Sequence, residues 1–418
     1  MTAASVRAPT RPLTVRTVEV DDPGDLLPRL PDPGGTAWLR HGEGMVGWGE
    51  AARVEAGTGG DRFARAGAAL DALLGRAEVV DDVGIAGTGP IAFGSFTFDA
   101  RSRRSVLIIP RVVLGRRDGR AWLTVVGDEP PDGWRADAVE ALPRPGRIRY
   151  AGASIPELRW IEAVAATVRE LRRGEGALEK VVLARDVLVW AEAPLDLRAL
   201  AHRLAERFPS CYTFLCDGLV GATPELLVRR AGPLVESVVL AGSAARGTDD
   251  AEDARLGGAL LRSEKDLAEH RPAVASVSDV LAPRCAALAV DAAPSLLRLD
   301  NVQHLATAVT GTLAQPASAL ELAAALHPTA AVCGTPRGAA LERIRALEGM
   351  DRARYSGPVG WVDARGDGEW GIALRCAEVD GRRARLFAGA GIVAGSLPEA
   401  ELEETRLKLR AMQSALES

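Results

Sequence analysis

Lysine is almost missing from this chain. Among 418 residues there are 51 Lys plus Arg, and only Lys180, Lys265 and Lys408 are lysine, so the other 48 are arginine. Surface solvation is served equally well by either residue. Proton transfer near neutrality is not, because a guanidinium keeps its proton while an amine can give it up. Cysteine is scarce too. Cys211, Cys216, Cys285, Cys333 and Cys376 are odd in number and show no CxxC or paired zinc spacing. This excludes a disulfide framework and a zinc ribbon, and it suits a reducing cytoplasm, the expected location. A formal charge of −5 without any polybasic block argues against nucleic acid and anionic membrane as partners. No apolar run approaches the roughly 18 residues of a membrane span. Residues 1–12 lack the apolar core of a signal peptide and are expected to be a short disordered tail. What the chain does have is 47% apolar residues, enough for a large core. Length alone favours two or three domains.

Hydrophobic patterning divides the chain unevenly. Segment 13–50 alternates and predicts strands, and 61 to about 78 predicts a helix with Asp61 as N-cap and Leu70, Leu73 and Leu74 on one face. Three strand-like runs lie within 90–127. The irregular stretches 129–134 and 142–154 mark the best internal boundary, though no Gly/Ser linker separates domains there. Beyond it come an amphipathic helix over 155–173, a strand over 179–190 and a helix over 195–207. Strands follow through 212–243, with helices near 262–281, 317–326 and 336–348. Three strands and a closing helix from about Pro398 complete the chain. Hairpin-like strands grouped with helices, without strict βαβ alternation, predict an α+β layered fold with large antiparallel sheets.

Several side chains stand out by spacing. Glu401, Glu404 and Lys408 fall at i, i+3 and i+7 of the last helix, on one stripe. That stripe borders a second one of Leu402, Leu409, Met412 and Leu416. Two carboxylates at a core edge suit a divalent cation; the alternative is a Glu404–Lys408 surface pair worth a few tenths of a kcal/mol, about 0.2–0.5. The run SEKDLAEH carries Lys265 and Glu269, and on spacing alone is a solvated helix face. Strand alternation puts Lys180 and Val182 on one face, Val181 and Leu183 on the other. In a sheet buried on both faces such a lysine is desolvated and suited to base chemistry; on an edge strand it would guard against aggregation. Glu225 follows Pro224 at a strand start and reads equally as an exposed carboxylate. His304 reads as a hydrogen-bonded core residue. The glycine-rich run 389–395 lacks both GxGxxG and the GK[ST] of a phosphate loop, which argues against nucleotide binding.

Taken together, the runs EKVVLAR, FLCDGLVGATPELL, LAGSAARG, SEKDLAEH, NVQHLAT, HPTAAVCGTPRGAA, YSGPVGW, GIALRCAEV and AGAGIVAGSLPEAELEETRLK resemble the chorismate-utilising enzymes across about 155–412. The resemblance implies a single domain of two large antiparallel β-sheets flanked by helices over 13–418. Its N-terminal subregion would be 13–150 and its catalytic core 155–415, which replaces the multi-domain expectation. It implies chorismate as the small-molecule partner, and a monomer. Lys180 matches a general base for attacking water, and Glu225 a general acid. Ala241 stands where aminodeoxychorismate synthases carry a nucleophilic lysine. Ala331 matches isochorismate synthases, whereas salicylate synthases tend to have threonine. The reaction implied is isochorismate formation, feeding siderophore or menaquinone synthesis, with salicylate synthase as the alternative. Mg2+ would be held by Glu269 and Glu404, with Glu401 as a direct or water-mediated ligand. Arg375 and Lys408 match carboxylate-holding positions. His304, Tyr355, Gly242, Gly389 and Gly391 match the substrate pocket. Lys265 lies in a matching run but receives no role.

Overall fold

The structure of the protein, a computed structural model, describes residues 4–31, 35–127, 141–144, 146–174, 178–299 and 302–417. Segment 129–134 lies outside these. Two sheets dominate, one of eleven strands and one of thirteen. Pairing is antiparallel except where Thr14–Val20 runs parallel to Glu78–Asp81. The α+β layered expectation is met.

The N-terminal subregion does not stand apart. Its strand Ile91–Ser95 pairs with Pro358–Asp363 in the eleven-stranded sheet. Its strand Thr36–Arg40 pairs with Tyr212–Cys216 in the thirteen-stranded one. One apolar cluster joins Val181, Leu183, Ala390 and Ile392 of the larger sheet to Val228, Val239 and Trp370 of the smaller. The sheets therefore share a core, and neither could bury its apolar face without the other.

Two of the steps that the chain makes from one sheet to the other matter later. Strand Leu219–Thr223 belongs to the larger sheet and Leu226–Ala231 to the smaller. Gly368–Ile372 belongs to the smaller sheet and Cys376–Asp380 to the larger. The two crossovers are tied together: the Ala222 amide donates to Arg375 O at 3.2 Å, and the Ile372 amide to Glu225 O at 3.2 Å.

Some expectations need correction. Ser5–Arg7, placed in a disordered tail by sequence, forms an edge strand on Arg53–Glu55. The first helix spans Arg62–Leu74, and Asp61 makes no capping bond, because its carboxylate pairs with Arg65. Residue 78 instead opens the strand Glu78–Asp81. The region 90–127 holds four strands, not three. The C-terminal strands also number four, since the run around 370–379 breaks at the sheet crossover. A helix Asp250–Arg262, unpredicted, precedes Glu264–Leu281; Ser263 separates them and accepts the Asp266 amide. Among the described residues no helix is long and apolar enough to cross a membrane.

Candidate active site

A cleft opens where the two crossovers meet the Glu264–Leu281 and Pro398–Glu417 helices. Glu225, Ala241, Gly242, Glu269, His304, Ala331, Tyr355, Arg375, Gly389, Gly391, Glu404 and Lys408 all line it. The backbone explains several of these placements. Strand Leu234–Ala245 carries a one-residue bulge between Leu240 and Ser243, opposite the segment from His304 to Ala306. Gly242 sits there at φ +85°, a conformation costly for residues with a Cβ. Arg375, a non-glycine at φ +48°, occupies the second crossover. Strained backbone of this kind persists where surrounding structure holds it, often at functional sites. At Gly391 a Cβ would overlap Glu269 Oε1, so only glycine leaves room for that carboxylate.

Lys180 is not an edge residue. Its strand, Lys180–Ala191, is flanked by Arg383–Ile392 on one side and by Gly334–Thr335 and Ile148–Tyr150 on the other. The side chain is 1% exposed. Its Nζ lies 3.2 Å from Glu269 Oε1 and donates to Glu269 O at 3.3 Å. Lys180 thus stands behind Glu269, just off the cleft wall. Val182, on the same strand face, reaches the cleft, while Val181 and Leu183 enter the core, as alternation predicts.

Glu225 has a different environment. Burial pushes its carboxyl up to about 8, with the Lys180 charge pulling the other way. At neutral pH it therefore carries its proton. Tyr355 stacks on Phe387 at 5.1 Å, and burial pushes its phenol up to about 12.

Of the terminal-helix stripe, Glu404 and Lys408 line the cleft and are not a surface pair. Lys408 Nζ meets Glu404 Oε1 at 2.5 Å and donates to Gly389 O at 3.0 Å. Burial opposes the Glu404 charge, but Lys408, with Lys265 and Arg375 behind it, holds the carboxyl below its ordinary value. Glu401 does not line the cleft. It is 1% exposed, and Lys265 Nζ reaches its Oε1 at 2.7 Å. Burial, then the neighbouring Glu404 charge, raise the Glu401 pKa. This gives Lys265 its role: it is the counter-charge of a buried carboxylate 136 residues away.

Asp266 was missed in the sequence. Burial and the charges of Glu269 and Glu404 raise its pKa, which places it among the same carboxylates. Being one helical turn before Glu269 was the signal available. Such mutual repulsion between oxygen donors is what a hard divalent cation relieves. Among the described residues no three metal-ligating side chains are already gathered around one point. Among the described residues Glu225, Glu269 and Glu404 are the carboxyl groups that line the cleft, and with Glu225 protonated at neutral pH the other two are left as oxygen donors for a cation.

Comparison with known proteins agrees with this geometry. Residues 135–417 match the family model described as chorismate binding enzyme. Isochorismate synthase DhbC of Bacillus subtilis is 45% identical over 257 residues, which are 59% of this chain and 65% of that protein. The salicylate biosynthesis isochorismate synthase of Pseudomonas aeruginosa is 38% identical over 91% of this chain and 84% of its own length. The solved structure of MenF, the menaquinone-specific isochorismate synthase of Escherichia coli, superposes with a TM-score of 0.76 at 26% identity. That superposition covers 98% of this chain and 96% of that one. The chain belongs to the chorismate binding enzyme family.

Proposed function

We propose that this chain is an isochorismate synthase: water enters chorismate at C2 and the C4 hydroxyl leaves. The observation that carries this reading is Glu225, a buried carboxyl at about 8, set within reach of the Lys180 charge. Hydroxide is a poor leaving group and water a poor nucleophile near pH 7, so the reaction needs an acid and a base. Glu225 holds the proton for the leaving hydroxyl. Lys180 takes the proton of the attacking water, a step arginine cannot perform.

Chorismate brings two carboxylates, and the cleft has cations to receive them. Arg375 is 8% exposed and faces the cleft, and Lys408 lines it beside Gly389. Glu269 and Glu404 fit Mg2+, which commonly takes one or two protein carboxylates and leaves its remaining positions to water and substrate. When bound there, Mg2+ supplies positive charge for a substrate carboxylate. Glu401, tied to Lys265, belongs to the surroundings of that site and not to its first ring of ligands. Ala241 lines the cleft with a methyl group, so no amine nucleophile is offered at that place.

Product analysis tests the reading. Purified protein with chorismate and Mg2+ is expected to yield isochorismate, without stoichiometric pyruvate above a no-enzyme control. Salicylate with equimolar pyruvate would make it a salicylate synthase, and absence of any turnover would overturn the assignment.

A further inference from the structure

The cleft contains a cation held in an unusual way. Arg375 Nη2 donates to His304 Nε2 at 3.1 Å. A guanidinium has only donors, so Nε2 must present its lone pair. The imidazole proton is then on Nδ1, which lies 3.0 Å from Ser243 Oγ, with the Gly242 carbonyl also in reach. Both acceptors sit at the strand bulge described above. Burial, then the charges of Arg375 and Lys408, hold the His304 pKa well below its ordinary value, so the ring is neutral. Among the described residues no carboxylate forms an ion pair with Arg375.

Several other buried arginines are held by acids, Arg352 by Glu348, and Arg354 by Glu378 and Asp217, while buried Arg62 donates to the carbonyls of Gly59 and Thr97. Those pairs fix geometry and cancel charge together. At Arg375 the two effects are separated. We propose that His304 is a positioning residue that orients Arg375 through a neutral acceptor, leaving the full guanidinium charge free for a carboxylate of the substrate, and that the bulge at Gly242 and Ser243 sets the required tautomer. An acid at position 304 would hold the arginine equally well and take the charge the substrate needs. This rests on the chorismate reading for the identity of the ligand, but not for the tautomer.

Two measurements test it. In 15N spectra of histidine-labelled protein at pH 7, with His304→Gln used for assignment, the His304 signal is expected to show Nδ1 protonated and Nε2 bare. An Nε2–H tautomer or an imidazolium overturns the proposal, and this result needs no turnover. In steady-state kinetics His304→Gln, which keeps an acceptor, is expected to raise the chorismate KM by less than about tenfold, the scale of one neutral hydrogen bond. His304→Glu is expected to raise it on the order of a hundredfold, the scale of a neutralised buried charge, with kcat changed less than KM. A Glu variant with wild-type KM overturns the proposal. A wild-type protein that ignores chorismate removes the proposed function, while the 15N result still decides this inference.

Discussion

Replacing Glu225 by glutamine should make the protein more stable and nearly inactive, and the size of the gain should depend on pH. In the unfolded chain this carboxyl titrates near its ordinary 4.5, and in the fold near 8. Between those values the folded state holds a proton that the unfolded state has released. Stability therefore falls as pH rises through this window and levels off above about 8. The slope is 1.36 kcal/mol per pH unit, so about 3 kcal/mol is withdrawn by pH 7 and roughly 5 at pH 8 and above. Glutamine has the same shape and no proton to gain. The variant should match wild type near pH 4.5 and exceed it by these amounts at pH 7 and 8.5. Urea unfolding at the three pH values reads this directly as a growing difference in midpoint. Turnover should fall by roughly 10²–10⁴, the usual contribution of a general acid. Wild-type activity should also decline as pH rises past about 8. A stability difference that is flat with pH, or a variant less stable than wild type at pH 8.5, would refute the buried-acid account.

Three further outcomes are expected. Gly391→Ala should fold, because the new Cβ meets the far ends of two flexible side chains, Glu269 and, at 3.1 Å, Lys180, yet lose about a hundredfold in kcat from displacing them; a wild-type rate with a normal melting curve would remove Glu269 from the site. Lys265→Met strands a buried Glu401, and with the lysine partly solvent-screened the cost should be about 1–3 kcal/mol. Because the stranded charge is a carboxylate whose pKa is already raised, that cost should be present where Glu401 is ionised and fade as falling pH protonates it, which denaturant midpoints at neutral and acid pH would show. Glu404→Gln should raise the Mg2+ concentration for half-maximal rate by at least about tenfold; if both chelator and this substitution leave the rate unchanged, the metal assignment fails.

Much of this site was legible in the sequence because helices and strands repeat. The Glu401, Glu404 and Lys408 stripe follows from 3.6 residues per turn, and the buried Leu402, Leu409, Met412 and Leu416 beside it confirm its orientation. Strand alternation likewise placed Lys180 with Val182. Contacts set by sheet register were not legible. Nothing local predicts that Lys265 would meet Glu401, or that Ser243 would face His304 across a bulge. The break at Arg375 was hidden for a similar reason. Residues 370–379 read as one strand, and only the presence of two sheets forces the chain to turn there. Asp266 was overlooked among neighbouring charges because what raises its pKa first is burial, which the spacing of charges along its own helix does not reveal.

The placement of the three lysines also shapes how the molecule meets reactive chemistry. Every side-chain amine of the protein lies in or against one cleft, with exposures of 1%, 36% and 14% for Lys180, Lys265 and Lys408. The remaining outer surface presents guanidinium groups, which resist acylation and Schiff-base formation under mild conditions. An acylating agent or reactive aldehyde therefore finds few side-chain targets, and those it finds lie in or close behind the cleft. For most proteins amine labelling samples the surface; here it would read the surroundings of one cleft, and Lys265, the most exposed of the three, would react first.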